Sequence, residues 1–146
     1  MAKNYNYNVM LDDNSIDVSK EVGLVWSIAN SLRGAYTSDK YKEVIIPMVI
    51  IRRFECALAA TKEAVIAKYK KNPNTPAALL EQASGYPFYN TSEYTLKRLL
   101  NDSDGIADNF KSYIDGFSAN VQTIINNLEF KKQIDKLDKN NRLLVL

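Results

Sequence analysis

The stretch YKEVIIPMVIIRRFE, residues 41–55, decides the fold class of this chain. Its eight-residue apolar run, 44–51, would suit a buried strand as well as a buried helix. Proline is excluded from central strands, so Pro47 favours the helix. Apolar residues also continue at helical spacing on both sides, at Tyr41, Val44, Met48, Phe54, Leu58, Val65 and Tyr69. The stretch therefore predicts one long central helix from about Ser38 to Lys70, kinked at Pro47.

A first, amphipathic helix is predicted ahead of this central one, from about Lys20 to Arg33. Ser19 is a suitable N-cap, and Gly34 follows the helix as its C′ residue. Leu24, Val25, Ile28 and Leu32 repeat at helical spacing and predict one buried stripe. Trp26 lies off the centre of that stripe, which places it at an edge or an interface.

Shorter helices are predicted after the central one. The first begins at Pro76, with Thr75 as its cap, and ends before Gly85, and the second spans Ser92–Leu100 with Leu96, Leu99 and Leu100 facing inward. The third is capped by Asp104 and ends at Gly116, and its inward residues are Ile106, Phe110, Tyr113 and Ile114. The fourth is capped by Ser118 and carries Val121, Ile124, Ile125 and Leu128 at helical spacing, and the helical pattern continues through Phe130, Ile134 and Leu137. The predicted fold is all-α, an irregular multi-helix bundle around one long, proline-kinked central helix.

Composition excludes several classes of chemistry. The 146 residues carry 19 basic and 17 acidic side chains, and the resulting net charge of +2 is too small for the chain to bind nucleic acid through overall charge alone. The absence of histidine excludes histidine-based catalysis and histidine metal sites, and a single cysteine, Cys56, excludes an internal disulfide. We expect Cys56 to be a small buried hydrophobe. Asp102 and Asp104 lack the spacing of a calcium loop and are expected to cap a helix.

The two ends of the chain are expected to differ from the middle. Residues 1–18 lack periodicity and predict a flexible N-terminal tail, or else a segment that becomes ordered on a partner through Tyr5 and Tyr7. Residues 19–146 are expected to form one helical domain. The apolar end Leu143–Leu146 suggests a cut through a further element. Neither a spanning segment nor an export signal is apparent, so we expect a cytoplasmic protein without membrane contact.

Basic side chains remain the main candidate for function. Arg52, Arg53, Lys97 and Arg98 are the candidate contacts for phosphate groups, although exposed charges on an ordinary solvated surface are the default explanation. Arg52 and Arg53 directly follow eight apolar residues, so they must emerge at a surface or meet a carboxylate or a phosphate. No spacing in the sequence predicts a catalytic, cofactor-binding or metal-binding residue.

Five short blocks, in order, resemble the helical N-terminal domain of type I restriction-modification methylation (M) subunits. They are LVWSIANSLRG at 24–34, the quoted stretch at 41–55, ATKEAV at 60–65, FYNTS at 88–92 and YIDGFS at 113–118. Each block alone is a weak signal, whereas five in order at suitable spacing are fairly specific. The sequence departs mildly from the usual family residues at two places. Phe54-Glu55 stands where Leu-Asp is common, and Ala60 stands where Pro is common.

The resemblance implies a function for the intact protein. Such subunits are adenine-specific DNA methyltransferases that use S-adenosylmethionine and assemble with a specificity subunit, a second M subunit and a restriction subunit. Their catalytic domain carries a Gly-rich motif and an Asn-Pro-Pro-aromatic motif, and neither occurs here. We therefore expect no turnover and no cofactor in this chain alone, whose task would be assembly and closing around DNA. The alternative is a free-standing helical adaptor that binds another protein without catalysis.

Overall fold

The computed structural model describes residues 18–145, with side chains through Leu144. Eight α-helices occupy this part of the chain: α1 Ser19–Leu32, α2 Lys42–Leu58, α3 Lys62–Lys71, α4 Ala77–Ser84, α5 Leu96–Leu99, α6 Ile106–Asp115, α7 Ala119–Asn127 and α8 Phe130–Lys139. Short 3-10 turns lie at Ser38–Lys40, Ala59–Thr61 and Leu143–Val145. Across 18–145 the only β pairings are two isolated bridges. The all-α prediction is confirmed, while the predicted tail falls outside the described residues except for Val18.

The single long helix kinked at Pro47 is not confirmed. The helical stretch at its place is about 34 residues long and bent by 27°, and the 3-10 turn Ala59–Thr61 divides it into α2 and α3. The Thr61 hydroxyl donates to the backbone carbonyls of Leu58, at 3.5 Å, and Ser84, at 2.9 Å. These hydrogen bonds hold the turn against the end of α4 and favour a local departure from α-helical geometry.

The hydrophobic core lies where α2 meets the three last helices. Buried α2 residues Val44, Ile51 and Leu58 recur every seven residues, so they share one face. The α6 stripe predicted from spacing is buried as a whole, and Phe130, Ile134 and Leu137 of α8 have no exposed surface. In α7, Val121 and Ile125 are buried, but Ile124 is 42% exposed, contrary to the prediction. Within 18–145, no helix combines the length and apolar character needed to cross a bilayer.

Helix α1 is where burial was predicted least well. Leu32 alone is buried in it, whereas Leu24, Val25 and Trp26 are 61%, 50% and 64% exposed. The helix packs on the core through its C-terminal half, where Leu32 is buried in the core cluster and Ile28 packs against it. Ser19 does not cap it, since it is the first helical residue after Val18. Trp26 is exposed, in line with its predicted place off the stripe.

Helix α5 is much shorter than the predicted Ser92–Leu100. The Ser92 hydroxyl accepts a hydrogen bond from the backbone N–H of Tyr94 at 3.1 Å, a local turn that competes with a helix. Thr95 then caps the helix by accepting from the backbone N–H of Arg98 at 3.0 Å. Leu99 is buried as expected, but Leu100 is 53% exposed.

Three smaller expectations also fail or shift. Cys56 is exposed rather than buried, because it lies on the outward face of α2. Gly105, not Asp104, is the N-cap of α6, and the Asp102 carboxylate accepts from the Gly105 N–H at 3.1 Å. Helix α4 begins one residue after the predicted Pro76, and Gly85 ends it with a φ of 77°.

Candidate functional site

Two of the five sequence blocks, 88–92 and 113–118, pair with each other in space. The Ser118 N–H donates to the Tyr89 carbonyl, and the Thr91 N–H donates to the Gly116 carbonyl, each at 2.9 Å. Between these bonds, Asn90 is buried, and its side-chain amide donates to the Tyr113 carbonyl at 3.0 Å. A segment without helix is thereby held against the end of α6.

Glu55, from the block at 41–55, is a buried carboxylate on α2 with only 8% of its surface exposed. Oε1 accepts hydrogen bonds from the Leu96 N–H at 2.7 Å and from the Tyr113 hydroxyl at 3.4 Å. Oε2 accepts from the Arg52 guanidinium at 2.6 Å. A buried charge must be paired or hydrogen-bonded to be tolerated, and here both oxygens have partners. The carboxylate therefore ties α2 to the first residue of α5.

Lys62, from the block at 60–65, completes the buried polar cluster. Its ammonium donates to the Ser92 carbonyl at 2.7 Å and lies 5.7 Å from the centre of the Tyr113 ring. Burial lowers the pKa of Lys62, and the charge of Glu55 opposes that shift. The space enclosed around these groups is about 10 Å³, room for about one water molecule. The contacts of Glu55, Lys62 and Tyr113 join helices α2, α3 and α6 to the segment at 92–96 and thereby brace the fold.

Because of Tyr113, the free energy of unfolding is expected to depend on pH. Burial, followed by the charge of Glu55, raises the pKa of its phenol. Above about pH 10, the unfolded chain loses this proton while the folded chain keeps it, so the folded state becomes less stable as pH rises. We expect Tyr113→Phe to flatten the fall in unfolding free energy between about pH 8 and about pH 11, measured by urea unfolding. Tyr36 and Tyr89, whose pKa values are also raised by burial, leave a smaller residual slope. Equal slopes for both proteins would contradict the assignment.

The four DNA-phosphate candidates lie on the surface but do not share one site. Arg52 and Lys97 line one groove, although Glu55 already binds one nitrogen of Arg52. Arg98 borders a different depression, with Nη1 at 3.3 Å from the Glu93 carbonyl and 3.9 Å from its carboxylate. Arg53 is exposed on α2. In the described part of the chain, Arg53 and Lys97 have no ion pair, which leaves their charges available.

The groove itself was not foreseen from the sequence. It has a volume of about 520 Å³ and lies between α1, α2, α5, the start of α6 and the C-terminal turn. Met48, Val49, Leu100 and Phe110 are among its apolar lining residues. Which apolar residues line an opening depends on how the helices pack, so only the unusual abundance of apolar residues on α1 and α2 could have hinted at the groove.

Comparison with known proteins identifies the family. The sequence model described as HsdM N-terminal domain matches residues 23–146. No curated protein and no solved structure matches the chain. The match covers all five blocks, and four of them, at 41–55, 60–65, 88–92 and 113–118, supply the residues of the buried cluster and its supports. This chain therefore belongs to the HsdM N-terminal domain family, the N-terminal domain of the type I restriction-modification M subunit.

Proposed function

We propose that this chain is the assembly and DNA-clamping domain of an adenine-specific DNA methyltransferase M subunit. The family match over residues 23–146 is the observation that carries the proposal. In the intact protein, a separate catalytic domain would bind S-adenosylmethionine and transfer its methyl group to adenine. Nothing in this chain's sequence offers the Gly-rich motif for that cofactor, so no catalytic step is assigned to its residues.

The proposed partners are the specificity subunit, a second M subunit, the restriction subunit and DNA, within the cytoplasm. The arrangement of polar groups supports a docking role, because Glu55, Asn90 and Tyr113 of the sequence blocks are buried and brace the fold. The outer surface is left with exposed cations and an apolar groove, which are suited to contacts with macromolecules.

DNA contact is proposed to run through Arg52, Arg53, Lys97 and Arg98. Guanidinium and ammonium groups contact phosphates and thereby position a protein on DNA without reading sequence. Arg53 and Lys97 should contribute most, since neither has an ion pair among the described residues. Arg52 and Arg98 already share their charges with Glu55 and Glu93.

A salt titration tests this proposal. We expect the double variant Arg53→Gln/Lys97→Gln to bind duplex DNA more weakly at low salt. Its plot of log affinity against log salt concentration should be shallower by about 2, because each lost phosphate contact removes about 0.9 from the slope. Fluorescence anisotropy of a labelled duplex gives both quantities.

The matched control removes the same charge elsewhere. Lys71→Gln/Lys139→Gln replaces two exposed lysines, at the ends of α3 and α8, and should leave most of the slope in place. Equal losses in both double variants would mean that only net charge matters. Affinity independent of salt in the original chain would refute phosphate contact altogether.

The adaptor alternative draws support from the exposed apolar side chains of α1. Leu24, Val25 and Trp26 are each at least half exposed, and exposed apolar side chains are enriched at protein–protein contacts. A pure adaptor would show no salt-dependent DNA binding, so the same titration separates the two functions.

A further inference from the structure

The groove defined above combines buried core residues with exposed apolar ones. Leu99, Ile106 and Phe110 line it and belong to the hydrophobic core, so the packing of the fold fixes their positions. Val49 and Leu100 line it as well, yet they are 62% and 53% exposed. Exposed apolar side chains beside a preformed apolar depression are typical of a surface that binds another molecule.

Exposed apolar side chains continue beyond the groove on two helices. On α1, Leu24 and Val25 precede the lining residue Ile28 by four and three residues, and both are at least half exposed. On α2, Ile46 precedes Val49 by three residues and is 48% exposed. Exposed apolar groups therefore lie one helical turn from the groove on both sides. An elongated partner would cover more of them than a small molecule would.

The charges in the groove all have the same sign. Arg52 and Lys97 are its charged lining residues, and none of the described lining residues is acidic. Only Nη1 of Arg52 contacts Glu55, and no ion pair engages Lys97 in the described part of the chain. A ligand with carboxylates beside these two groups would complement both charges, whereas a ligand with cations there would be repelled.

The walls of the groove favour a helix over an extended peptide. All lining residues except Leu100 and Leu143 belong to α-helices, in which backbone N–H and C=O groups bond to each other. The two isolated β bridges of the described chain lie elsewhere, so the groove offers no strand edge. An extended peptide would leave its own backbone groups unpaired against apolar side chains, which is costly. A helix pairs these groups internally.

We propose that the groove binds an amphipathic helix of a partner protein, one that carries carboxylates at the end nearest Arg52 and Lys97. Its apolar side chains, spaced by three or four residues, pack against Val49 and Leu100 and cover the core residues between them. This inference deepens the proposed assembly role and rests on it only in taking a protein as the partner. It does not depend on DNA contact.

Selection from a peptide library tests the chemistry of the occupant. The probes are phage-displayed peptides of about 18 residues, or about five helical turns, randomised on an alanine-rich helical frame. They are selected against the full 146-residue chain. We expect the recovered peptides to carry apolar residues at helical spacing, with Asp or Glu enriched at one end. Peptides rich in Lys or Arg, or peptides without an apolar stripe, would overturn the proposal.

A double variant locates the binding site of the recovered peptides. Val49→Gln/Leu100→Gln should weaken their binding by about tenfold or more, because two apolar contacts are lost. The matched control is Leu79→Gln/Ile124→Gln, which changes two exposed apolar residues that do not line the groove and should leave affinity unchanged. Isothermal titration calorimetry gives the affinities, and far-UV circular dichroism verifies folding. Equal affinities for the two double variants would place the peptides outside the groove and refute the proposal.

A charge reversal tests the cationic end of the groove. Lys97→Glu should weaken binding of the acidic peptides by about fivefold or more, and a new selection against it should favour Lys or Arg at that end. Lys139→Glu makes the same change on an exposed lysine at the end of α8 and should do neither. Equal effects of the two substitutions would reduce the preference to net charge and contradict the proposed orientation of the helix.

Failure of this proposal differs from failure of DNA contact. If the groove binds no helix, no peptide depends on Val49 and Leu100, while the salt titration of DNA binding is unaffected. If the chain does not contact DNA, the titration fails while the peptide results stand. Sedimentation velocity adds a last outcome. Self-association of the chain that Val49→Gln/Leu100→Gln abolishes would assign the groove to a second copy and overturn the proposed partner.

Discussion

Replacing Glu55 with leucine is expected to lower the free energy of unfolding by about 3 kcal/mol. The carboxylate is the acceptor for the Leu96 N–H and the Tyr113 hydroxyl, both of which would lose their partner inside the protein. An unpaired buried donor costs about 1–3 kcal/mol because the folded state lacks a hydrogen bond that the unfolded chain makes with water. Arg52 adds little, since its exposed side chain can turn to solvent. Urea unfolding followed by circular dichroism gives the difference.

Glu55→Gln is the matched control for this loss. Its amide oxygen can still accept from the Leu96 N–H, so the anchor of α5 persists without the charge. We expect a cost of about 1 kcal/mol, the usual difference between a charge-assisted and a neutral hydrogen bond. Equal destabilisation by leucine and glutamine would mean that charge, not the hydrogen bond across the fold, is what matters. A leucine variant as stable as the original would contradict a bracing role.

Where the spacing of apolar residues alone determines which helix face is buried, the buried residues could be predicted from the sequence. In α6, Ile106, Phe110, Tyr113 and Ile114 recur on one face, and all four are buried. Burial in α1 could not be predicted the same way, because an apolar stripe is buried only where another element meets it. The late start of the helix predicted over 92–100 is similar, since the Ser92 hydroxyl accepts a hydrogen bond from the Tyr94 N–H and forms a local turn in place of the first helical turn.

The buried polar cluster was only partly visible in the sequence. The Arg52–Glu55 pair has i,i+3 spacing, and the prediction that this arginine meets a surface or a carboxylate is confirmed, since it does both. The contact of Glu55 with Leu96 spans 41 residues of sequence. No local pattern encodes such a contact, because it depends on where α5 packs against α2. The role of the candidate cations on DNA stays a prediction.

Gly116→Ala is the second substitution expected to have a large effect. A Cβ at this position would lie 2.6 Å from the Asn90 side-chain oxygen and 2.8 Å from the backbone nitrogen of Ser92. The backbone φ of −72° is ordinary, so the obstacle is space and not strain. The pairing of Thr91 with the Gly116 carbonyl would have to open. Overpacking together with a weakened hydrogen bond predicts a loss of about 2–4 kcal/mol, measurable as a lower urea midpoint.

Gly23→Ala provides a control of opposite sign for Gly116→Ala. Gly23 lies inside α1, and a Cβ added there would have no tertiary neighbour within 4 Å. Alanine there should stabilise the helix by up to about 1 kcal/mol, because glycine has the greater conformational freedom when unfolded. If both substitutions changed the midpoint in the same direction, the loss at 116 would reflect a general response to alanine. Opposite signs would locate the cost in the contact between the segments 88–92 and 113–118, the two blocks that hold the irregular part of the chain to α6.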